Sequence, residues 1–179
     1  MLKLNNTALV IVDVQGKLAH MMSDKEMLFS NLQRMVKGAQ ILDLPIVWME
    51  QNPDKLGRTI PELTELLTAF EPLSKMTFSC AGNEAFRAKL QQTGANNVLL
   101  MGIETHICVY QTAVDLVQAG FNVEVVADAV SSRFAHNKTI GLEKMTSYGV
   151  KLTSTETALF ELMKTADHQA FRQIQKAIK

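Results

Sequence analysis

The sequence predicts an α/β fold: a three-layer α/β/α sandwich around a six-stranded, mainly parallel sheet with Rossmann-like topology. Three observations carry this. Short β-branched runs alternate with longer segments of helical period along the whole chain. The first run, Thr7–Val12, is continuously apolar rather than alternating, as in a strand buried on both faces. The spacing between runs leaves room for a helix each time, so the strands are joined by right-handed crossovers and lie parallel. A length of 179 residues suits a single domain spanning 1–179, with an apolar core of its own.

Taken in order, Thr7–Val12 is the first strand. Glu26–Leu42 carries a 3.6-residue apolar stripe through Met27, Leu28, Leu32, Met35, Val36, Ala39 and Leu42, which predicts a helix. Pro45–Met49 is the second strand, and Pro61–Ala69 a short helix with Pro61 in its first turn, where a missing N–H is harmless. Phe70–Met76 is a weak third strand. Asn83–Gln92 is helical and closed by Gly94; Asn97–Met101 is the fourth strand. A helix follows from Thr105 to Ala119, ended by Gly120. Val123–Ala127 and Val150–Thr153 are the fifth and sixth strands, separated by a Lys138–Ser147 helix. Helices at Glu156–Met163 and Asp167–Ile178 complete the pattern.

Eighteen basic and eighteen acidic residues balance to zero, with no block of like charge. Nothing in this distribution would draw in a phosphate backbone or an anionic lipid surface, so nucleic acid and membrane are excluded as partners. Apolar runs such as Ala8–Val12 fall far short of the ~20 residues of a membrane helix. Met1–Asn6 has no apolar stretch of signal-peptide length, and the two cysteines, Cys80 and Cys108, form no disulfide framework. A cytoplasmic protein with reduced thiols is the expectation.

In a parallel sheet, ligands bind beyond the carboxyl ends of the strands. Asp13, Glu50, Lys75, the Glu104–Cys108 segment and Asp128 all stand at such ends. Cys108 falls in the first turn of its helix, where unpaired N–H groups favour an anion and lower a thiol's pKa; a neighbouring ammonium lowers it further. A thiolate beside Lys75 and Asp13 has the parts of nucleophilic catalysis. Position alone leaves open the alternative that Cys108 is a small buried apolar residue, as free cysteines usually are. Asp13 alone could cap a helix or bind Mg²⁺, and Lys75 alone could be a solvated surface lysine.

The combination resembles a family. Ala8-Leu9-Val10-Ile11-Val12-Asp13-Val14-Gln15, Ser74-Lys75-Met76-Thr77-Phe78-Ser79 and Met101-Gly102-Ile103-Glu104-Thr105-His106-Ile107-Cys108-Val109 are similar, in that order, to the motifs of the isochorismatase-like cysteine hydrolases. Ala127–Arg133 and Thr153–Glu156 continue the match. The resemblance implies an isochorismatase-like fold and an Asp13–Lys75–Cys108 catalytic triad. It also implies a cis peptide between Ile103 and Glu104, although Glu104 is not proline, that aims the backbone N–H of Glu104 together with that of Cys108 as an oxyanion hole. Gln15, Gln51 and Thr105 are the candidates for the substrate pocket. Relatives are usually oligomeric, which implies a homo-oligomer.

Two departures narrow the activity. Nicotinamidases hold a metal through an Asp and histidines after the second strand, but Glu50–Thr59 has no histidine, and His20, His106, His136 and His168 have no ligand spacing. No metal and no cofactor are expected, and the segment resembles the family's metal-free branch. Isochorismatases proper cleave a vinyl ether and need no cysteine, whereas Cys108 is present. The expected function is therefore an amidase-like cysteine hydrolase that cleaves a C–N bond of a small amide, imide or carbamoyl compound through a thioester. The alternatives are an isochorismatase-type or nicotinamidase-type hydrolase, or a non-catalytic binding or assembly module. His106 is read as structural or pocket-lining, Trp48 as core, and the side chain of Glu104 as a surface or subunit contact. A redox pair of Cys80 with Cys108 is a minor alternative.

Overall fold

The β-branched runs become neighbours in one sheet because each is apolar on both faces and only a central position between two helical layers buries both. The computed structural model describes residues 1–179. Strand β1 (Thr7–Val12) leads through α1 (Gly16–His20) and α2 (Lys25–Ile41) to β2 (Ile46–Gln51). After α3 (Pro53–Leu56) and α4 (Pro61–Thr64) comes the short β3 (Leu73–Lys75), then α5 (Glu84–Gln92) and β4 (Asn97–Ile103). A π-helical turn (Thr105–Val109) and α6 (Tyr110–Gln118) connect β4 to β5 (Asn122–Ser131). Helix α7 (Ala135–Ser147), β6 (Lys151–Thr153), α8 (Thr155–Met163) and α9 (Phe171–Ala177) follow.

The six strands lie in the order β3-β2-β1-β4-β5-β6, and every neighbouring pair is parallel, so the sheet is wholly rather than mainly parallel. Alternate residues of β1 serve opposite layers. Leu9 and Ile11 pack with Leu32, Met35 and Val36 of α2 and with Leu159 and Leu162 of α8. Ala8, Val10 and Val12 pack with Phe86 of α5, Ala113 and Leu116 of α6, and Met145 of α7. The direction of winding reverses at β1, which places a crevice between the carboxyl ends of β1 and β4.

Several boundaries differ from those predicted, each for a local reason. The weak third strand shrinks to Leu73–Lys75, an edge strand paired only with β2. Strand β5 runs past Ala127 to Ser131, because a register shift between Leu100 and Gly102 lets Val130 and Ser131 resume pairing with Gly102 and Ile103. Pro61–Ala69 keeps a helix only over Pro61–Thr64, and the last helix is confined to Phe171–Ala177. Helices α1 and α3, of five and four residues, are too short to show a 3.6-residue period, so the sequence pattern does not predict them.

Gly102 has φ +123°, and a Cβ there would collide with the carbonyl of Val12 on the adjacent strand. The substitution Gly102→Ala combines a forbidden backbone with a backbone clash at the sheet's centre. It is expected to lower stability by at least about 3 kcal/mol, read from the urea midpoint. A variant within 1 kcal/mol of wild type would mean that β1 and β4 can separate there without penalty.

Candidate active site

Three strand ends build the site. Asp13 leaves β1 with φ +54°, and its backbone N–H donates to the Met49 carbonyl at 3.2 Å. Lys75 is the last residue of β3 and lies in register with Gln51 of β2. From there its side chain spans β2: Nζ donates to Asp13 Oδ2 at 2.7 Å and to Gln51 Oε1 at 2.7 Å. The Thr77 and Phe78 carbonyls accept from the same ammonium at 3.1 and 2.9 Å. The Lys75 side chain has no exposed surface. The other oxygen of Asp13, Oδ1, is buried without a hydrogen-bond partner. Asp13, Gln51, Glu104 and Cys108 all border one cavity of about 120 Å³.

Cys108 is carried on the π-helical turn, in which the Glu104 carbonyl accepts from the N–H groups of Ile107 at 3.1 Å and Val109 at 3.3 Å. The predicted Thr105–Ala119 helix is thus divided, with its first turn wound more loosely than the rest. The Ile103–Glu104 peptide is cis, and no group in the chain accepts a hydrogen bond from the Glu104 N–H.

The electrostatics differ from those expected of a helix N-terminus. Burial, then the neighbouring Asp13 carboxylate, push the Cys108 thiol well above its ordinary range, and Lys75 opposes them without prevailing. Burial also raises Asp13 above the usual carboxylate range, against the lowering influence of Lys75. Only 8% of Cys108 is exposed, so desolvation outweighs the helix dipole. The resting site therefore holds a neutral thiol beside a buried Lys75–Asp13 pair, not a preformed thiolate. Asp13→Asn removes the charge that raises the thiol. The midpoint of the pH profile of Cys108 alkylation should then fall by about one pH unit or more. An unchanged midpoint would mean that Asp13 does not act on the thiol.

The remaining candidates separate into lining and supporting residues. Gln51 lines the cavity. Gln15 does not: Nε2 donates to the Gln51 carbonyl at 3.0 Å and the Gly57 carbonyl at 2.7 Å, and Oε1 accepts from the Gln51 N–H at 2.6 Å. It therefore clamps the loop after β2 to β1 rather than facing a substrate. Thr105 is also buried away from the cavity, and its Oγ1 has no partner. Glu50 accepts from the Thr59 N–H and hydroxyl at 2.7 and 2.9 Å, and Trp48 is core with its Nε1 donating to Thr59 Oγ1 at 2.8 Å. Asp128 accepts from the N–H and hydroxyl of Thr155, joining β5 to α8, and does not line the cavity.

Glu104 is not the surface contact expected. Its buried carboxylate accepts from Arg133 Nε at 2.9 Å and from the Arg133 N–H at 3.2 Å. His106 Nδ1 lies 2.9 Å from Ser132 Oγ and takes no part in the cavity wall. Cys80 is a buried free thiol, pushed up to about 12 by burial, with its backbone N–H donating to Thr112 Oγ1 at 2.9 Å. The walls that motif reading missed come from Leu18 and Leu56, held by Gly16: its φ is +44°, and a Cβ there would strike the Leu56 carbonyl.

The parallel α/β sheet thus sets an acid, an amine and a thiol at its switch point. The isochorismatase domain pattern matches residues 7–157, and the chain belongs to the isochorismatase family, a family of hydrolase kind. Isochorismatase domain-containing protein 2A of Mus musculus is 37% identical over 175 residues, covering 97% of this chain and 83% of that protein. Isochorismatase domain-containing protein 1 of Danio rerio is 40% identical over 147 residues, 82% of this chain; the matched part is 52% of that protein, so the chain spans about half its length. A Caenorhabditis elegans structure described as MAR1 ribonuclease superposes with a TM-score of 0.93 at 35% identity, covering 99% of this chain and 91% of the other. No helix of the chain is long and apolar enough to cross a membrane.

Proposed function

We propose that the protein is a cysteine hydrolase that cleaves the C–N bond of a small amide, imide or carbamoyl compound, with Asp13, Lys75 and Cys108 as its catalytic residues. The observation that carries this is a buried Lys75–Asp13 pair whose one unpartnered oxygen shares a small cavity with a cysteine. Because Lys75 holds Oδ2, Oδ1 is the oxygen left to receive the thiol proton. As that proton moves, Sγ of Cys108 bonds to the substrate's carbonyl carbon, and the oxyanion is taken by the N–H groups of Glu104 and Cys108. The C–N bond then breaks, and Asp13 returns its proton to the leaving nitrogen. A water molecule gives a proton to Asp13 and its oxygen to the acyl carbon. The C–S bond breaks, and the sulfur regains a proton.

Lys75 opposes the burial that raises Asp13 and holds the carboxylate's orientation through the Nζ–H donated to Oδ2. Since Asp13 lies above the usual carboxylate range, the base is lost as pH falls through that raised value. The acid limb of kcat/KM is therefore expected above the ordinary Asp value of about 3.9. A thioester intermediate is tested with hydroxylamine, which should divert a turned-over amide to its hydroxamate in proportion to concentration. Turnover without hydroxamate would remove the thioester from the mechanism.

The reading includes a cytoplasmic homo-oligomer that acts on a free small molecule. The C. elegans relative's description brings in a second reading, RNA cleavage. It is disfavoured by a balanced net charge and by a site lysine whose donors are already spent on four acceptors, leaving none for phosphate. Cleavage of a labelled RNA that disappears in Cys108→Ala would favour it.

A further inference from the structure

We propose that the acyl group accepted by Cys108 is small, uncharged and apolar, so that the substrate is a short aliphatic amide; this rests on the amide-hydrolase reading above. The cavity's walls are Leu18, Leu56, Phe78, Ile103 and Ile107, with Cys108 at the reacting end. Its volume of about 120 Å³ is the space of about four water molecules, enough for an acyl group of about four to six non-hydrogen atoms.

No lysine, arginine or histidine lines the cavity, so none stands ready to recognise an ionic substituent. The Lys75 ammonium is surrounded by Asp13, Gln51 and two carbonyls. Arg133 is held by Glu104, and Arg58 by Glu50 at 3.1 Å. Arg58 borders a separate polar groove of about 590 Å³, together with Asp54, Lys75, Asn83 and Glu84; neither Asp13 nor Cys108 reaches that groove, and Lys75 does not line the catalytic cavity. A substrate carboxylate in the cavity would thus lose its hydration without gaining a cation and would lie beside the Asp13 carboxylate. Such burial of an unpaired charge is strongly disfavoured. An aliphatic group has only the favourable burial of its own surface. The polar contacts left are the Asp13 Oδ1 and the two backbone donors, which suit one carboxamide.

Two measurements test this and fail separately. The first is alkylation of Cys108 by iodoacetamide and by iodoacetate, each rate divided by that of free glutathione, in the intact protein. The neutral reagent should be preferred by at least about tenfold, because the anionic one must be desolvated unpaired. Phe78 is 56% exposed at the cavity wall, so its replacement should leave the fold intact, and Phe78→Arg should remove most of that preference. Equal labelling of the wild type by both reagents would overturn the proposal. The second is hydrolysis of propionamide, isobutyramide, benzamide and succinamate. The two aliphatic amides should exceed succinamate by about 100-fold or more in kcat/KM. Benzamide should be slow in the wild type and faster in Phe78→Ala. Succinamate turned over as fast as propionamide would overturn the substrate class while leaving the triad standing. If no amide is hydrolysed, the catalytic reading fails, and the alkylation ratio still decides what the cavity accepts.

Discussion

Replacing Cys108 with alanine is expected to lower amide turnover by about 10⁴–10⁶, the range seen when a covalent nucleophile is removed from a site that otherwise binds normally. The fold should survive. Cys108 is packed among Val12, Val109 and Ala113, and loss of one sulfur from that cluster is an ordinary core truncation of about 1 kcal/mol. Cys80→Ala is the matched control: it empties a similar buried volume, and Cys80 makes no hydrogen bond to the reacting groups, so turnover should stay within a few-fold. Ammonia release by the three proteins, with urea midpoints alongside, separates chemistry from stability. Retention of wild-type turnover in Cys108→Ala would end the covalent mechanism.

The second large effect is expected from Lys75→Ala, in activity and in stability together. Removing the ammonium leaves Asp13 as a buried carboxylate without a counter-ion. Breaking such a pair from one side costs about 3–5 kcal/mol. It also frees the Gln51 amide and the Thr77 and Phe78 carbonyls that the ammonium held. Asp13 should escape the penalty by taking a proton, and with the base neutralised turnover should fall by about 10³ or more. From sequence alone the same substitution is expected to leave the fold intact, since the work of Lys75 is electrostatic; the full burial of Lys75 changes that expectation. The pair Lys75→Met with Asp13→Asn separates the two roles. Without a buried charge it should regain much of the lost stability and stay inactive. A Lys75→Ala protein as stable as wild type would show that the ion pair does not hold this strand end.

Much of the fold was legible because it rests on short-range pattern. Thr7–Val12 and Asn97–Ile103 are apolar on both faces, so they had to be central strands, and the 3.6-residue stripe of α2 specified a helix one of whose faces is buried. Edges were less legible: β3 is half exposed and paired on one side, so little in its own composition defines it. The extension of β5 to Ser131 depends on a bulge opposite Gly102, a property of two strands together. In the site, Asp13, Lys75 and Cys108 could be singled out by residue type at strand ends, and Gln51 by its neighbourhood. Gln15 looked equally suitable, since an amide after β1 has the same sequence whether it faces a substrate or clamps a loop.

The sequence by itself determined an alternating α/β chain, a wholly buried sheet centre, and a short set of chemically capable residues at the strands' carboxyl ends. These follow from hydrophobic period and residue type, which act over a few neighbours. Only the tertiary structure decided that Lys75 reaches across β2 to Asp13, that Cys108 rests as a neutral thiol, and that Glu104 is buried on Arg133. It also decided that Leu18, Leu56 and Phe78 wall the thiol into an apolar space. The physical reason is that desolvation and charge pairing depend on which groups are brought within a few ångströms from distant segments, as Asp13 and Lys75 are across 62 residues. No local pattern encodes that distance.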